Sequence, residues 1–380
     1  MTVESVKNWA EEAWRKAEKK IRKTADEIGA SFPDIAYAGK YELTDNIFHW
    51  INGFWPGILW LVYEKSGEEE FQKMARRCEE RLDGAFAASE KLAHDVGFVW
   101  SLASVADYRL TGDETARRRA LRAATVLMAR FNPTGSFLRS WNDLPGKDTR
   151  GWTIADNMMN LPLLYWASGT TGDSRFEDVA RRHTATVIQH LLREDGSANH
   201  IIKLDIGTGA LADDREECLD YTQGCGLESS WTRGQAWVLY GLVLGFRYTQ
   251  NMAYLQAAKR SAHYFLAALG DRGVPPIDFR GEPEKMGQDS SAGAIAACGL
   301  IELSKNVPEC EKHLYFDGAI KILKALEAEC ADYSEETQNL LKHAATHYNA
   351  DKTRDVGLIY ADYFYMEALY RLTRDKVIFW

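Results

Sequence analysis

Apolar and polar positions alternate along this chain in long blocks. Five short breaks, rich in Ser, Thr, Gly and Asn, each follow an apolar run of about four helical turns and precede a more polar stretch. Glycine at a helix end, with Asp or Thr at the next helix start, is typical of a tight turn between two helices. The breaks are Ser66-Gly67-Glu68, Thr111-Gly112-Asp113, Thr171-Gly172-Asp173, Thr249-Gln250-Asn251 and Lys305-Asn306-Val307-Pro308.

The apolar runs predict buried helices, because a helix that is apolar all round is buried and one with a polar face lies at the surface. Six such runs begin near Phe54, Val96, Asn157, Thr232, Ala292 and Tyr363. Their spacing of about 40 to 75 residues fits a helical-hairpin repeat with long, variable loops. We therefore predict an all-α fold, an (α/α)6 barrel of six helical hairpins that forms one catalytic domain over residues 1–380. β-like pieces, such as residues 200–205, fall in the long loops.

Composition narrows the classes of partner. The net charge of −9 argues against nucleic acid and anionic membranes. Charges recur from the N-terminus onward and no stretch of 18 residues is free of charge and apolar, so we expect a cytoplasmic protein that neither carries a signal peptide nor spans a membrane. The six cysteines form no C-x-x-C pair, and no H-E-x-x-H motif or phosphate-binding glycine loop is present, so we expect free thiols, no metal and no cofactor. We expect a monomer or a weak homo-oligomer.

The predicted connectivity places the starts of all six inner helices, with the long loops, at one end of the barrel. Asp95 and Asp156 stand at two of those starts, directly before apolar sequence. Two carboxylates that face each other repel, which raises the pKa of one and suits it to general acid catalysis near neutral pH. For Asp289 and Asp362, which stand at two other starts, capping or local hydrogen bonding is the favoured interpretation.

The start of the fourth inner helix, Trp231-Thr232-Arg233-Gly234-Gln235-Ala236-Trp237, places one basic group between two tryptophans. Arginine binds carboxylates with two hydrogen bonds, so Arg233 fits an acidic sugar. It fits equally well an internal ion pair with Asp95, Asp156 or Glu228. His94 adjoins Asp95, and His200 lies in the loop before this helix, where we expect it to overhang the mouth.

A set of motifs in chain order resembles the unsaturated glucuronyl hydrolases, glycoside hydrolase family 88. The motifs are Lys40-Tyr41, Trp50…Gly53-Phe54-Trp55, His94-Asp95-Val96-Gly97-Phe98, Asp156…Asn160-Leu161-Pro162, Trp231-Thr232-Arg233-Gly234-Gln235-Ala236-Trp237, Asp289-Ser290-Ser291-Ala292 and Asp362-Tyr363. The resemblance implies an (α/α)6 barrel without cofactor. It also implies an oligosaccharide substrate with a 4,5-unsaturated uronic acid at its non-reducing end, cleaved by hydration of the vinyl ether.

The same resemblance implies roles for individual residues. Asp156 becomes the general acid and base, with Asp95 as its partner carboxylate. The expected substrate-binding residues are Trp50, Trp55, His94, His200, Gln223, Trp231, Arg233 and Trp237. Three alternatives stay open: a related unsaturated rhamnogalacturonyl hydrolase, a conventional inverting glycosidase with its two carboxyls about 6.5 to 9.5 Å apart, and a sugar-binding protein without catalysis.

Overall fold

Two concentric layers of helices make up most of the computed structural model, which describes residues 2–380; Met1, where the predicted domain begins, lies outside the described residues. In chain order the helices are α1 (Val3–Ile28), α2 (Phe54–Ser66), α3 (Glu69–Leu82), α4 (Val96–Trp100), α5 (Ala106–Thr111), α6 (Glu114–Ala129), α7 (Asn157–Thr171), α8 (Ser174–Thr186), α9 (Thr232–Thr249), α10 (Met252–Leu269), α11 (Ser290–Lys305), α12 (Glu309–Ala325) and α13 (Ile359–Thr373). A π-helical turn, Ser101–Val105, joins α4 and α5 into one continuous helix. Further π-helical turns extend α8 and α12.

The inner layer is a closed ring. Helices α2, α4–α5, α7, α9, α11 and α13 pack in that order, and α13 returns to α2. Each inner helix is covered by one outer helix, which is α3, α6, α8, α10, α12 and, for α13, the N-terminal α1. Within residues 2–380 the predicted all-α class and the (α/α)6 barrel are therefore confirmed. The inner helices are buried nearly throughout, as their apolar sequences require.

Local sequence explains where the inner helices stop. Gly67, Gly112 and Gly172 each follow an inner helix with φ of 76°, a left-handed conformation that glycine adopts without a steric penalty. Asp113 and Asp173 then accept hydrogen bonds from backbone amides at the start of the next outer helix. These turns are short at one end of the barrel, whereas the connections at the other end are long.

Small antiparallel sheets lie at the end of the barrel that carries the long loops. The strands are β1 (Phe32–Tyr37), β2 (Lys40–Thr44), β3 (Phe131–Asn132), β4 (Phe137–Leu138), β5 (Trp152–Ile154), β6 (Ile201–Lys203) and β7 (Gly357–Leu358). They form sheets of order β2-β1-β7, β3-β4 and β5-β6. β6 confirms the β-like character predicted for residues 200–205.

The first sheet ties distant parts of the chain together. Ile35 of β1 pairs with Leu358 of β7. Beside it, the Tyr41 hydroxyl donates to Asp362 Oδ2 of α13 at 2.6 Å. Asp362 also accepts the backbone amides of Leu340 and Leu341, which confirms the local hydrogen bonding predicted for it.

Two further predictions concern the whole described chain. Within residues 2–380 each of the six cysteines is a free thiol, and four of them are buried. Across the same range, every helix falls short of the combined length and apolarity needed to cross a membrane.

Candidate active site

A pocket with a cavity volume of about 430 Å³ opens at the long-loop end of the barrel. The starts of five inner helices contribute Trp50, Asp95, Asp156, Trp231, Arg233 and Tyr360 to its wall. A larger groove of about 740 Å³ lies between the loop after α10 and residues 343–355, but it contains neither of the two carboxylates. We therefore place the candidate site in the smaller pocket, where acidic, basic and aromatic groups converge.

Asp156 occupies the N-cap position of α7, but its carboxyl caps no amide of residues 2–380. The residue is only 8 % exposed. Burial, with a smaller contribution from the charge of Asp95, raises the pKa of Asp156 to about 7, although the charge of Arg233 opposes this rise. A carboxyl group of this kind carries a proton for much of the time at neutral pH and can donate it.

Asp95 holds the corresponding N-cap position of α4 and lines the same pocket. Its Oδ2 lies 3.3 Å from His94 Nε2, and its Oδ1 accepts from Asn160 Nδ2 at 3.4 Å. Burial lowers the pKa of His94, so its ring is neutral at physiological pH. The pair that the sequence predicted at the mouth is therefore brought together on neighbouring inner helices.

His200 lies beneath the pocket wall and does not overhang the mouth, contrary to the prediction. Its Nδ1 is 3.5 Å from Asp156 Oδ2, and its ring meets the ring of Trp231 edge-on at 4.5 Å. The loop turns inward because β6 pairs with β5 and carries the preceding residue under Trp231. Burial lowers the pKa of His200 well below its usual value, so the ring is neutral beside Asp156.

Arg233 forms an internal ion pair, and its partner is none of the three carboxylates that the sequence suggested. Its Nη1 lies 2.9 Å from Asp289 Oδ2 and also donates to the carbonyl oxygen of Ala345, while Nη2 donates to that of Thr346 at 2.7 Å. Asp289 caps α11 through the amides of residues 291 and 292, which confirms the capping prediction. The guanidinium also lies over the Trp231 ring at 4.3 Å, and it still faces the pocket.

The tryptophans divide into two groups. Trp50 and Trp231 line the pocket, as predicted. The prediction that Trp55 lines the mouth is wrong, since its indole donates to the carbonyl oxygen of Gly29 at 2.8 Å and so turns outward toward α1. Trp237 is also buried behind the wall, where it packs against Phe98 at 5.0 Å.

Other predicted residues fall either on the wall or behind it. Gln223 lines the pocket, in a left-handed conformation with φ of 56°. His94 is fully buried and does not line the pocket, but it lies next to the wall residue Asp95. A group of residues that sequence analysis missed completes the wall: Asp34, Ile35, His49, Trp141, Ile154, Thr346, His347, Thr353 and Leu358.

The missed residues lie in β strands and long loops, which carry no helix-start pattern. Tyr360 is the exception, because it stands beside the predicted start of the last inner helix and could have been found there. His49 Nε2 lies 2.9 Å from Asp34 Oδ2, and both residues line the pocket. Burial and the charge of Arg233 lower the pKa of His347 to about 4, so it too is neutral.

Several buried polar atoms around the pocket have no hydrogen-bond partner within residues 2–380. They are His94 Nε2, Asp156 Oδ2, both ring nitrogens of His200, Trp231 Nε1 and Trp237 Nε1. Buried polar groups are nearly always hydrogen-bonded, so a cluster of unpaired ones beside a cavity favours a polar ligand. Within the same residues, no group of three or more His, Cys, Asp and Glu side chains is arranged to hold a metal ion.

Comparison with known proteins gives close matches. The model of Glycosyl Hydrolase Family 88 matches residues 20–271. An unsaturated glucuronyl hydrolase of Bacillus sp. strain GL1 is 37% identical over 363 residues, which cover 93% of this chain and 94% of that protein. An unsaturated chondroitin disaccharide hydrolase of Streptococcus pyogenes serotype M1 is 34% identical over 372 residues, covering 95% of this chain and 90% of that protein.

A solved structure of the unsaturated glucuronyl hydrolase from Streptococcus agalactiae superposes with a TM-score of 0.90 at 31% identity, covering 100% of this chain and 94% of that one. This structural match covers the whole barrel, including the helices whose N-cap residues are Asp95 and Asp156. With the family match and the two relatives, it shows that the chain belongs to glycoside hydrolase family 88.

Proposed function

We propose that this glycoside hydrolase releases a 4,5-unsaturated uronic acid from the non-reducing end of oligosaccharides by hydrating the ring double bond. The observation that carries the proposal is the buried Asp156 carboxyl, whose pKa of about 7 lets it both donate and accept a proton at neutral pH. The printed names of the relatives, unsaturated glucuronyl hydrolase and unsaturated chondroitin disaccharide hydrolase, support this class of substrate.

The chemistry needs one group that first gives up a proton and then takes one back. Asp156 gives its proton to C4, and the electrons of the C4=C5 bond form the new C4–H bond. A water oxygen then bonds to C5, and its proton passes to Asp156, which restores the starting state. The resulting hemiketal opens by cleavage of the bond between C5 and the ring oxygen, which leaves a ketone at C5 and a hydroxyl group on C1. C1 is then a hemiacetal: its bond to the glycosidic oxygen breaks, C1 becomes an aldehyde, and the hydroxyl proton passes to the departing sugar.

Asp95 supplies the electrostatic setting for that step. Its charge raises the pKa of Asp156 and stabilises positive charge that develops at C5 as C4 is protonated. The neutral ring of His200, beside Asp156, adds no further positive charge that would lower the pKa of the Asp156 carboxyl. In the proposed mechanism Asp156 therefore transfers the proton, and Asp95 supplies negative charge beside it.

The remaining wall suits a flat, acidic ring. Trp50, Trp231 and Tyr360 offer aromatic surfaces on which a ring flattened by a double bond can pack. Arg233 supplies positive charge at the same wall, and Gln223 offers an amide for hydroxyl groups. In the proposed complex the uronate carboxyl lies on the Arg233 side of the pocket.

The test is the ultraviolet absorbance of the conjugated double bond during incubation with an unsaturated chondroitin or hyaluronan disaccharide. The wild type is expected to remove the absorbance. Asp156→Asn is expected to lose several orders of magnitude, because general acid–base catalysis alone contributes about 10²- to 10⁴-fold and one group here serves twice. Asp178→Asn, at an exposed position on α8, is the matched control and should retain wild-type turnover.

The outcomes separate the alternatives. Loss of absorbance only with an unsaturated galacturonyl-rhamnose disaccharide would assign the rhamnogalacturonyl type. Cleavage of saturated glycosides with no change in absorbance would assign a conventional inverting glycosidase. Binding without turnover, unchanged in Asp156→Asn, would assign a sugar-binding protein.

A further inference from the structure

Asn160 lies on α7, one helical turn below Asp156, and is fully buried between the two proposed catalytic carboxylates. Its side-chain oxygen accepts the backbone amide of Phe98 on α4 at 2.8 Å. Its Nδ2 faces three acceptors: the carbonyl oxygen of Asp156 at 3.2 Å, His94 Nδ1 at 3.3 Å and Asp95 Oδ1 at 3.4 Å. One amide group thus contacts every member of the pair and the histidine beside it.

The two helices approach closely at this point because α4 carries a glycine there. A Cβ atom added to Gly97 would lie 2.4 Å from the Cα of Asn160 and 2.5 Å from its Oδ1. Real Cβ contacts are not so short, so only glycine permits the amide of Asn160 to reach across to α4. The contact therefore depends on sequence features of both helices.

The orientation of the amide follows from its partners. The Phe98 amide can only donate, so the atom facing it must be the oxygen, and the NH₂ group must face His94 and Asp95. Since Nδ2 carries hydrogens only to donate, His94 Nδ1 must be the unprotonated ring nitrogen. The proton of the neutral ring then sits on Nε2, which lies 3.3 Å from Asp95 Oδ2.

We infer that Asn160 is a positioning residue for the proposed hydration reaction: it fixes the His94 tautomer whose proton is on Nε2, the ring nitrogen 3.3 Å from Asp95 Oδ2, and it holds the Asp95 carboxylate close to the backbone of Asp156. This inference rests on the proposed function only for its effect on turnover. The tautomer itself is a property of the resting protein. Asn160 does not line the pocket, so it acts through Asp95 and His94.

The first experiment needs no variant. Nitrogen NMR of the wild-type protein labelled with ¹⁵N-histidine, with His94→Gln to assign the signal, reports which ring nitrogen carries the proton. Protonated Nε2 and bare Nδ1 are the expected result. Protonated Nδ1 would overturn the inference, whatever the protein does with substrate.

The second experiment uses Asn160→Asp, which keeps the oxygen for the Phe98 amide and replaces the donor with an acceptor. His94 is expected to move its proton to Nδ1, and kcat to fall about 10²-fold, the scale of a displaced catalytic group, while KM stays close to that of the wild type. The matched control is Asn52→Asp, a fully buried asparagine next to the start of α2 whose amide donates to the carbonyl oxygen of Asn46. It should lose thermal stability without either change.

Two results would contradict the role of Asn160. An unchanged His94 tautomer with kcat, KM and melting temperature all altered would make Asn160 a packing residue only. A switched tautomer with unchanged kcat would show that the tautomer has no bearing on turnover. If wild-type turnover of unsaturated disaccharides is absent altogether, the proposed function fails while the NMR result still decides the tautomer.

Discussion

Replacing Asp156 by Asn should stabilise the protein while it abolishes turnover, and the gain should grow with pH. The pKa of this carboxyl is raised from 3.8 to about 7 in the folded protein, chiefly by burial and next by the charge of Asp95. At a pH between those two values, the Asp156 carboxyl is ionised in the unfolded chain but stays protonated in the folded protein. Stability is therefore lost as pH rises above 3.8, and the loss levels off above 7.

The two pKa values fix the size of the effect. Linkage gives a destabilisation of roughly 2 kcal/mol at about pH 5 and roughly 4 kcal/mol at about pH 8. Unfolding entropy of about 2.1 cal/mol/K per residue amounts to roughly 0.8 kcal/mol/K for a chain of this length. Asp156→Asn should accordingly raise the melting temperature by roughly 2 °C at pH 5 and roughly 5 °C at pH 8.

Differential scanning calorimetry of wild type and Asp156→Asn at the two pH values measures this difference. Asp178→Asn, at an exposed position on α8, provides the baseline for removing one carboxylate outside the pocket. A melting-temperature difference that is the same at pH 5 and pH 8 would refute the raised pKa. The proposed acid would then lack its physical basis, even if Asp156→Asn were inactive.

Three further predictions concern the pocket. The wild-type kcat/KM should fall as pH rises through about 7, since Asp156 must be protonated and its pKa is raised to about 7, chiefly by burial and next by the charge of Asp95. A profile flat from pH 5 to 9 would contradict this. Arg233→Lys should raise KM more for an unsaturated uronate than for its methyl ester. Through the loss of charged hydrogen bonds, it should also lower the free energy of unfolding by roughly 1.5–3 kcal/mol. An equal rise in KM for both substrates would make Arg233 purely structural. Trp50→Leu should raise KM roughly threefold to tenfold, as expected for the loss of one aromatic contact. Trp55→Leu, in contrast, should lower the melting temperature and leave KM unchanged. A higher KM for Trp55→Leu would show that Trp55 contacts the substrate.

Helix starts and stops were predictable because their causes are local. The predicted starts at Phe54, Val96, Asn157 and Thr232 coincide with the observed ones. Each is marked by a change from polar loop to apolar helix, and three of these four inner helices are followed by a glycine, whereas α9 is followed by Gln250. The starts predicted at Ala292 and Tyr363 lie two residues inside α11 and four residues inside α13, which begin at Ser290 and Ile359.

Side-chain partners were less predictable because they depend on helices far apart in sequence. Arg233 pairs with Asp289 across 56 residues, and nothing near either residue distinguishes that partner from Asp95 or Asp156. Trp50 and Trp55 belong to the same motif, but they lie on different sides of the helical turn between them. The Trp50 ring lines the pocket, whereas the Trp55 indole contacts Gly29. The loop residues on the wall, such as His347, show no periodicity from which to place them.

The pairing of β1 with β7 and the contact of Tyr41 with Asp362 have a consequence for how this protein becomes active. The contact of Tyr41 with Asp362 joins residues 321 positions apart, the β1–β7 pairing spans a similar distance in sequence, and α13 is the last helix of the inner ring. Contacts of such high sequence separation form late, because a long loop must close before they contribute stability. Because Leu358 and Tyr360 lie on the pocket wall, we expect a chain that ends before α13 to lack a complete pocket and therefore to be inactive.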